Sequence, residues 1–132
     1  MSVHLFRDAL DISASAMRAQ GERLRQISEN VANADTPGYR RKQASFETVL
    51  DSGVPTGTVV RGPVALDQRE LQRIYDPGHP LADAEGYYDG SNVDLVVEIA
   101  DAREAQRSYE ANLRMFDQVR QMSRGILDIL RR

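Results

Sequence analysis

The sequence predicts a mainly α protein with a small β region: long N- and C-terminal helices paired as an antiparallel, coiled-coil-like hairpin, with an irregular β-containing segment between them. Three observations carry that expectation. Residues 5–34 and 92–131 contain no Pro and repeat apolar side chains at helical spacing. All five Pro residues fall between those stretches. The composition is aliphatic, 41% hydrophobic but 6% aromatic with no Trp, which suits helix packing. At 132 residues the chain has room for one ordinary domain.

The first helix is read from its seam. Steps of four and three from Phe6 select Leu10, Ser13, Met17, Gln20, Leu24, Ile27, Val31 and Ala34, a heptad-like stripe with two polar members. Beside its first half runs a second stripe, Leu5, Ala9, Ile12, Ala16 and Ala19, and one partner helix cannot cover both. Asp35-Thr36-Pro37-Gly38 ends the pattern, because Pro disfavours helix at the residue before it and Gly turns the chain. Residues 1–38 therefore form the first segment.

Residues 39–91 form the second. Here Gly57–Arg61 and Leu71–Tyr75, rich in β-branched and aromatic side chains, read as short strands flanked by turns. Residues 92–132 form the third, a helix whose seam runs through Ala102, Ala105, Tyr109, Asn112, Phe116, Val119, Ser123, Ile126 and Leu130. Asp89-Gly90-Ser91-Asn92 reads as the turn leading into its N-cap, with Asp94 complementing the helix dipole. Asn112 is a polar side chain in an apolar seam, suited either to fixing register or to facing solvent. At ~1.5 Å per residue the helices are ~45 and ~60 Å long, far more than a core of this size needs. Pairs of opposite charge, Arg7 with Asp11, Arg18 with Glu22 and Glu110 with Arg114, are expected to decorate the solvated faces.

The same residues exclude much chemistry. With no Cys there is no disulfide, thiolate nucleophile or zinc ribbon, and only His4 and His79 offer imidazole. His4 lies on a first helical turn and His79 in a Pro-rich turn, neither placed as a catalytic base. The carboxylates Asp76, Asp83, Glu85, Asp89 and Asp94 lack the spacing of an EF-hand, and no phosphate-binding loop or hydrolase motif occurs. No catalytic, cofactor or metal residue is assigned. Seventeen basic and 20 acidic residues are mixed along the chain, which argues against nucleic acid as a partner. Charge interrupts the N-terminus before an apolar run of signal-peptide length, and no stretch approaches the ~20 apolar residues of a membrane span. A soluble chain without a cleavable signal is expected.

Specific words in the sequence carry a resemblance. Asn30-Val31-Ala32-Asn33-Ala34-Asp35-Thr36-Pro37-Gly38-Tyr39-Arg40-Arg41 resembles the N-terminal signature of the rod, hook and hook-associated proteins of the bacterial flagellum. Tyr75–Tyr87 with its Pro77-Gly78-His79-Pro80 loop, Asn92-Val93-Asp94 with Glu98, and Ala105–Asn112 are similar to a proximal rod protein of that superfamily. Ser91, where Pro is usual, makes residues 89–94 similar to a sister rod protein as well. Thr36-Pro37-Gly38 joins directly to Tyr39 where many relatives insert a few residues, a departure confined to a loop.

The resemblance implies an axial structural protein of the basal-body proximal rod, exported unprocessed through the flagellar export apparatus into the periplasmic space. There it would assemble with copies of itself and other rod proteins into a helical tube that surrounds the export channel and transmits torque. No membrane insertion is implied. The seam residues would form the helix pair and subunit interface, and Asn30, Asn33, Thr36, Pro37, Gly38 and Tyr39 the family's turn. Arg40, Arg41, Pro77, Gly78 and Asn92 would make loop contacts, the arginines to acidic groups of neighbouring subunits.

Independently of the resemblance, Leu5, Ile12, Leu95, Ile99, Leu113, Met115, Met122 and Ile129 lie beyond the two seams, so the middle segment or other chains must cover them. Two other classes fit that surface less fully: a helical export adaptor or chaperone, and a small enzyme with an unusual carboxylate site.

Overall fold

A computed structural model describes residues 2–132. Its element order is α1 (Ser2–Ala32), β1 (Lys42–Gln43), β2 (Phe46–Asp51), β3 (Val54–Arg61), β4 (Ala65–Leu66), β5 (Arg73–Tyr75), β6 (Tyr87–Asp89) and α2 (Leu95–Leu130). The strands form three separate two-stranded antiparallel sheets, β1–β4, β2–β3 and β5–β6. The fold is thus two long helices with a small antiparallel β region between them.

The helices pair antiparallel. The Arg23 guanidinium of α1 lies 3.8 Å from Asp101 and 3.6 Å from Glu104 of α2, and the end of α1 meets the start of α2. With equal rise along both helices, the start of α1 faces about residues 122–125, so the last turn of α2 runs past it. The seam buries Ile27, Ala105 and Val119, while Phe6, Leu10, Met17, Leu24, Ala102, Asn112 and Phe116 are half-buried. Val31, Tyr109, Ile126 and Leu130 stay exposed, Leu130 at 76%. Val31 is carried out of the seam by the end of α1, and Leu130 by the overhang.

The second stripe of α1 is covered in part from within the chain: Ala19 is buried, while Leu5 and Ile12 stay 69% and 37% exposed. β3 lies along it: the Val59 amide donates to Ser15 Oγ at 3.1 Å, Ser15 Oγ donates to the Ile12 carbonyl at 2.8 Å, and Arg61 Nε sits 3.4 Å from Glu22. Five strand residues at ~3.3 Å rise match ten helical residues at ~1.5 Å, so Gly57 and Arg61 fall beside Ile12 and Glu22. β2 and β3 are joined by Ser52-Gly53, both at positive φ (50° and 82°), the geometry of a type I′ hairpin turn.

Several expectations need correction. α2 starts at Leu95, not at 92: Asp94 is its N-cap, accepting from the Val96 amide at 3.0 Å, because Ser91 and Asn92 are occupied elsewhere. The pairs Arg7–Asp11, Arg18–Glu22 and Glu110–Arg114 do not appear among the ion pairs of the described residues, and Glu22 instead faces Arg61. Most ion pairs here join different elements instead of running along one helix face, Asp67–Arg69 being local. Asn112 donates to the Ser108 carbonyl of its own helix at 2.8 Å and so does not fix register across the seam.

Candidate functional site: the helix junction

The turn after α1 returns the chain as an extended segment, residues 39–43, between the end of α1 and the start of α2. Two asparagines hold it. Asn30, in the last turn of α1 and 1% exposed, donates through Nδ2 to the Lys42 carbonyl at 2.9 Å. Its Oδ1 accepts from the Lys42 amide at 2.9 Å and from the Tyr39 hydroxyl at 2.8 Å. The side-chain amide thus completes both backbone bonds of Lys42, as a neighbouring strand would. Asn92 acts from the other side, accepting from the Arg41 amide at 2.6 Å and donating to the Asp67 carbonyl at 2.9 Å and the Arg69 carbonyl at 3.2 Å.

The preceding turn is closed by its own polar groups. Asn33 Nδ2 donates to the Glu29 carbonyl at 2.9 Å, and Thr36 Oγ1 donates to Asn33 Oδ1 at 3.1 Å. Pro37 then directs the chain to Gly38, whose φ of 74° suits glycine and whose amide donates to the carbonyls of Asp89 and Gly90. Ser91 Oγ donates to the Ala34 carbonyl. The turn is therefore stitched to the strand and loop that precede α2.

Charge fills the junction. Arg41 donates through Nε to Glu98, which is fully buried, and through Nη2 to Asp101 at 2.9 Å. Lys42 Nζ donates to Glu29, a bond that raises the ammonium pKa. Burial, then the nearby Glu29 carboxylate, raises the Tyr39 phenol pKa, keeping it the donor that Asn30 needs. Arg40 turns the other way and donates to the carbonyls of Asp67 (3.1 Å) and Arg69 (3.0 Å). Asp67 itself is held below its usual range chiefly by the Arg69 side chain, at 2.9 and 2.6 Å. Arg40 and Arg41 thus have partners in their own chain, where the sequence pointed to a neighbour's carboxylates.

The Pro77-Gly78 loop is held by its own contacts. Gly78 donates to Asp76 Oδ1 at 3.2 Å, and the His79 ring stacks on Tyr88 with centroids 3.9 Å apart and 10° between planes. His79 Nδ1 accepts from the Leu81 amide at 3.1 Å, a structural use of the imidazole. Across the hairpin Tyr75 meets Tyr87 at 5.1 Å, and Arg73 covers the Tyr87 ring. Nothing in this loop pairs a base with a nucleophile.

Sequence reasoning missed Glu98 and Asp101 as partners of Arg41. The signal was present: one more step of four back along the seam from Ala102 lands on Glu98, a carboxylate in an apolar position that needs a cation.

A hairpin of two long helices, closed by a strand that asparagines pin from both helix ends, defines a helix-hairpin class of protein that presents long helix faces. Two family models agree: "Flagella basal body rod protein" matches residues 10–40, and "Flagellar basal body rod FlgEFG protein C-terminal" matches residues 84–129. Curated relatives name the branch. The chain is 42% identical to the flagellar basal-body rod protein FlgC of Agrobacterium fabrum, covering 93% of this chain and 94% of the relative. It is 40% identical to that of Salmonella typhimurium (85% and 88%) and 34% identical to that of Bacillus subtilis (92% and 95%). The chain belongs to the FlgC family of flagellar basal-body rod proteins, a structural component of the rod.

Proposed function

We propose that the chain is a mechanical element of the proximal rod, without catalytic activity, that packs against copies of itself and other rod proteins in the periplasmic space. On this reading the helix hairpins line a tube around the export channel and carry motor torque. The chain reaches its place through the flagellar export apparatus. The observation that carries the reading is uncovered apolar surface on the helices: Leu113, Met115, Met122 and Ile129 remain 42–70% exposed after the hairpin and the β region have formed. Helix faces of this kind are buried by other helices, and the same contact repeated around an array resists shear. No described helix is long and apolar enough to cross a membrane.

The seam residues then serve the helix pair, and the exposed flank of α2 serves the neighbours. The turn Asn30–Tyr39 and the residues Arg40, Arg41 and Asn92 set the angle at which the β region leaves the hairpin. Pro77 and Gly78 place the outer loop against adjoining subunits. Deleting the chain and imaging purified basal bodies tests this. Rings without a rod are expected; complete rods in the deletion strain would sink the proposal. An export adaptor would instead leave the chain missing from purified basal bodies of motile cells.

A further inference from the structure

The chain is electrically polarised along its hairpin. Between residues 67 and 94, the segment that leads into α2, there are seven acidic residues and two basic ones, and the nearby cations Arg41 and Lys42 are taken up by Glu98, Asp101 and Glu29. Residues 118–132, at the opposite end of α2, hold four arginines and one Asp. The two poles are ~50 Å apart along the helix. At the acidic pole a cleft of about 530 Å³ is lined by the carboxylates Asp35, Glu70 and Asp94 and the apolar Val93 and Leu95. None of the three carboxylates takes part in an ion pair among the described residues, whereas Arg69, also in the cleft, is neutralised by Asp67. The basic pole carries matching chemistry: Ile126, Leu127, Ile129 and Leu130 are exposed among Arg124, Arg131 and Arg132.

We propose that this cleft is an axial docking site for the cationic, apolar-tipped end of a long helix from the next rod subunit, an end of the kind this chain itself presents at residues 124–132. This rests on the rod reading and names the contact within it. Carboxylates outside any ion pair, beside the apolar Ala34, Val93 and Leu95, attract guanidinium groups and shelter aliphatic side chains. A body with unlike poles also stacks head to tail, the heterologous contact that propagates along an axis without closing. Like poles repel, so the same charges set the direction of stacking.

The test replaces Gln72, a cleft-lining residue whose side chain carries no charge, with a photoreactive benzophenone amino acid in the full chain in cells. Irradiated cells yield basal bodies whose cross-linked peptides are read by mass spectrometry. The expected adduct lies in the final two turns of a rod subunit's helix containing at least two Arg or Lys with aliphatic neighbours. An adduct to any other segment, or the chain present in basal bodies without an adduct, overturns the docking site while leaving the rod reading intact. Unsubstituted chain absent from the basal bodies of motile cells overturns the rod reading itself. In a second arm, Asp35→Arg with Glu70→Arg should reduce completed rods at least tenfold with helix content unchanged. Normal rod numbers would overturn the docking site.

Discussion

Arg41 and Glu98, 57 residues apart in sequence, form an ion pair that locks the returning strand to the first turn of α2. Glu98 has no exposed surface and its Oε2 has no hydrogen-bond partner, so Arg41 is what makes the buried charge tolerable. Asp101 takes the other arm of the same guanidinium and also lies beside Arg23 of α1. Three elements thus meet at one cation, and its removal should be felt by all of them.

Arg41→Met should therefore destabilise the hairpin by about 3 kcal/mol, the cost of stranding a buried carboxylate. Arg41→Met with Glu98→Leu should recover most of that loss, since the unpaired charge is gone. Urea unfolding followed by helix circular dichroism measures both. Equal losses in the single and double variants would show that packing of the Arg41 stem, not charge, is what matters.

Asn30 gives a second prediction. Asn30→Ala leaves the Lys42 amide, the Lys42 carbonyl and the Tyr39 hydroxyl without their partner. A loss of about 2 kcal/mol is expected. Tyr39→Phe removes one of these bonds and should cost about 1 kcal/mol alone, but nearly nothing in the Asn30→Ala background. Additive losses in the double-mutant cycle would contradict the shared network.

The helices were legible because heptad spacing is a local property, and Asp35-Thr36-Pro37-Gly38 is punctuation that needs no tertiary context. Strands β3 and β5 showed through their β-branched and aromatic content. β1 and β4, two residues each, did not, because Lys42-Gln43 is extended only by virtue of Asn30 and Asn92 on either side. The partners of Arg40 and Arg41 were illegible for the same reason: Asp67, Glu98 and Asp101 come near only after the chain has folded back. The α2 start was misplaced because Asn92, a good N-cap by type, is already engaged by the returning strand, and the role passes to Asp94.

Gly57 is one of the points where the β2–β3 hairpin touches α1, along with Val59 and Arg61. Its φ is 82°, and a Cβ there would lie 2.9 Å from Ile12 Cδ1. Gly57→Ala should cost about 1–2 kcal/mol in backbone strain, plus whatever the Ile12 contact adds. Ile12→Ala should relieve only the contact. Amide exchange is the readout: protection of Val59, whose amide donates to Ser15, should fall in Gly57→Ala and partly return in the double variant. Unchanged protection would mean the hairpin does not depend on this approach.

Acid should loosen the loop side of the junction. The Asp67 carboxyl is held low chiefly by Arg69, and the Asp83 carboxyl chiefly by the Tyr87 amide with help from Glu85 and Arg73. Folded pKa values below the unfolded ones mean that these groups add stability fully present above the ordinary carboxylate range near ~4, and lost as pH falls through the lowered values. Exchange in residues 67–91 should accelerate below about pH 4. Asp67→Asn and Asp83→Asn should remove that pH dependence. An acid response that persists in both variants would place its origin elsewhere.

The last prediction separates folding from assembly on α2. Met115 and Met122 are each 53% exposed, one helical flank away from the buried seam of Ala105 and Val119. Placing a carboxylate on an exposed helical position changes stability little, within about 0.5 kcal/mol, so Met115→Glu and Met122→Glu should unfold like the parent chain. In a rod, the same positions are expected to be covered by a neighbouring helix, where an unpaired carboxylate is costly and the defect recurs at each contact. Motility and rod-bearing basal bodies should therefore be lost while chain abundance is kept. Ile27→Asp serves as the contrast: Ile27 is buried inside the hairpin, so that variant should lose stability and assembly together. Normal motility in both methionine variants would show that this flank of α2 faces solvent in the rod, and that the subunit contacts lie on the opposite flank through Leu95, Ile99 and Leu113.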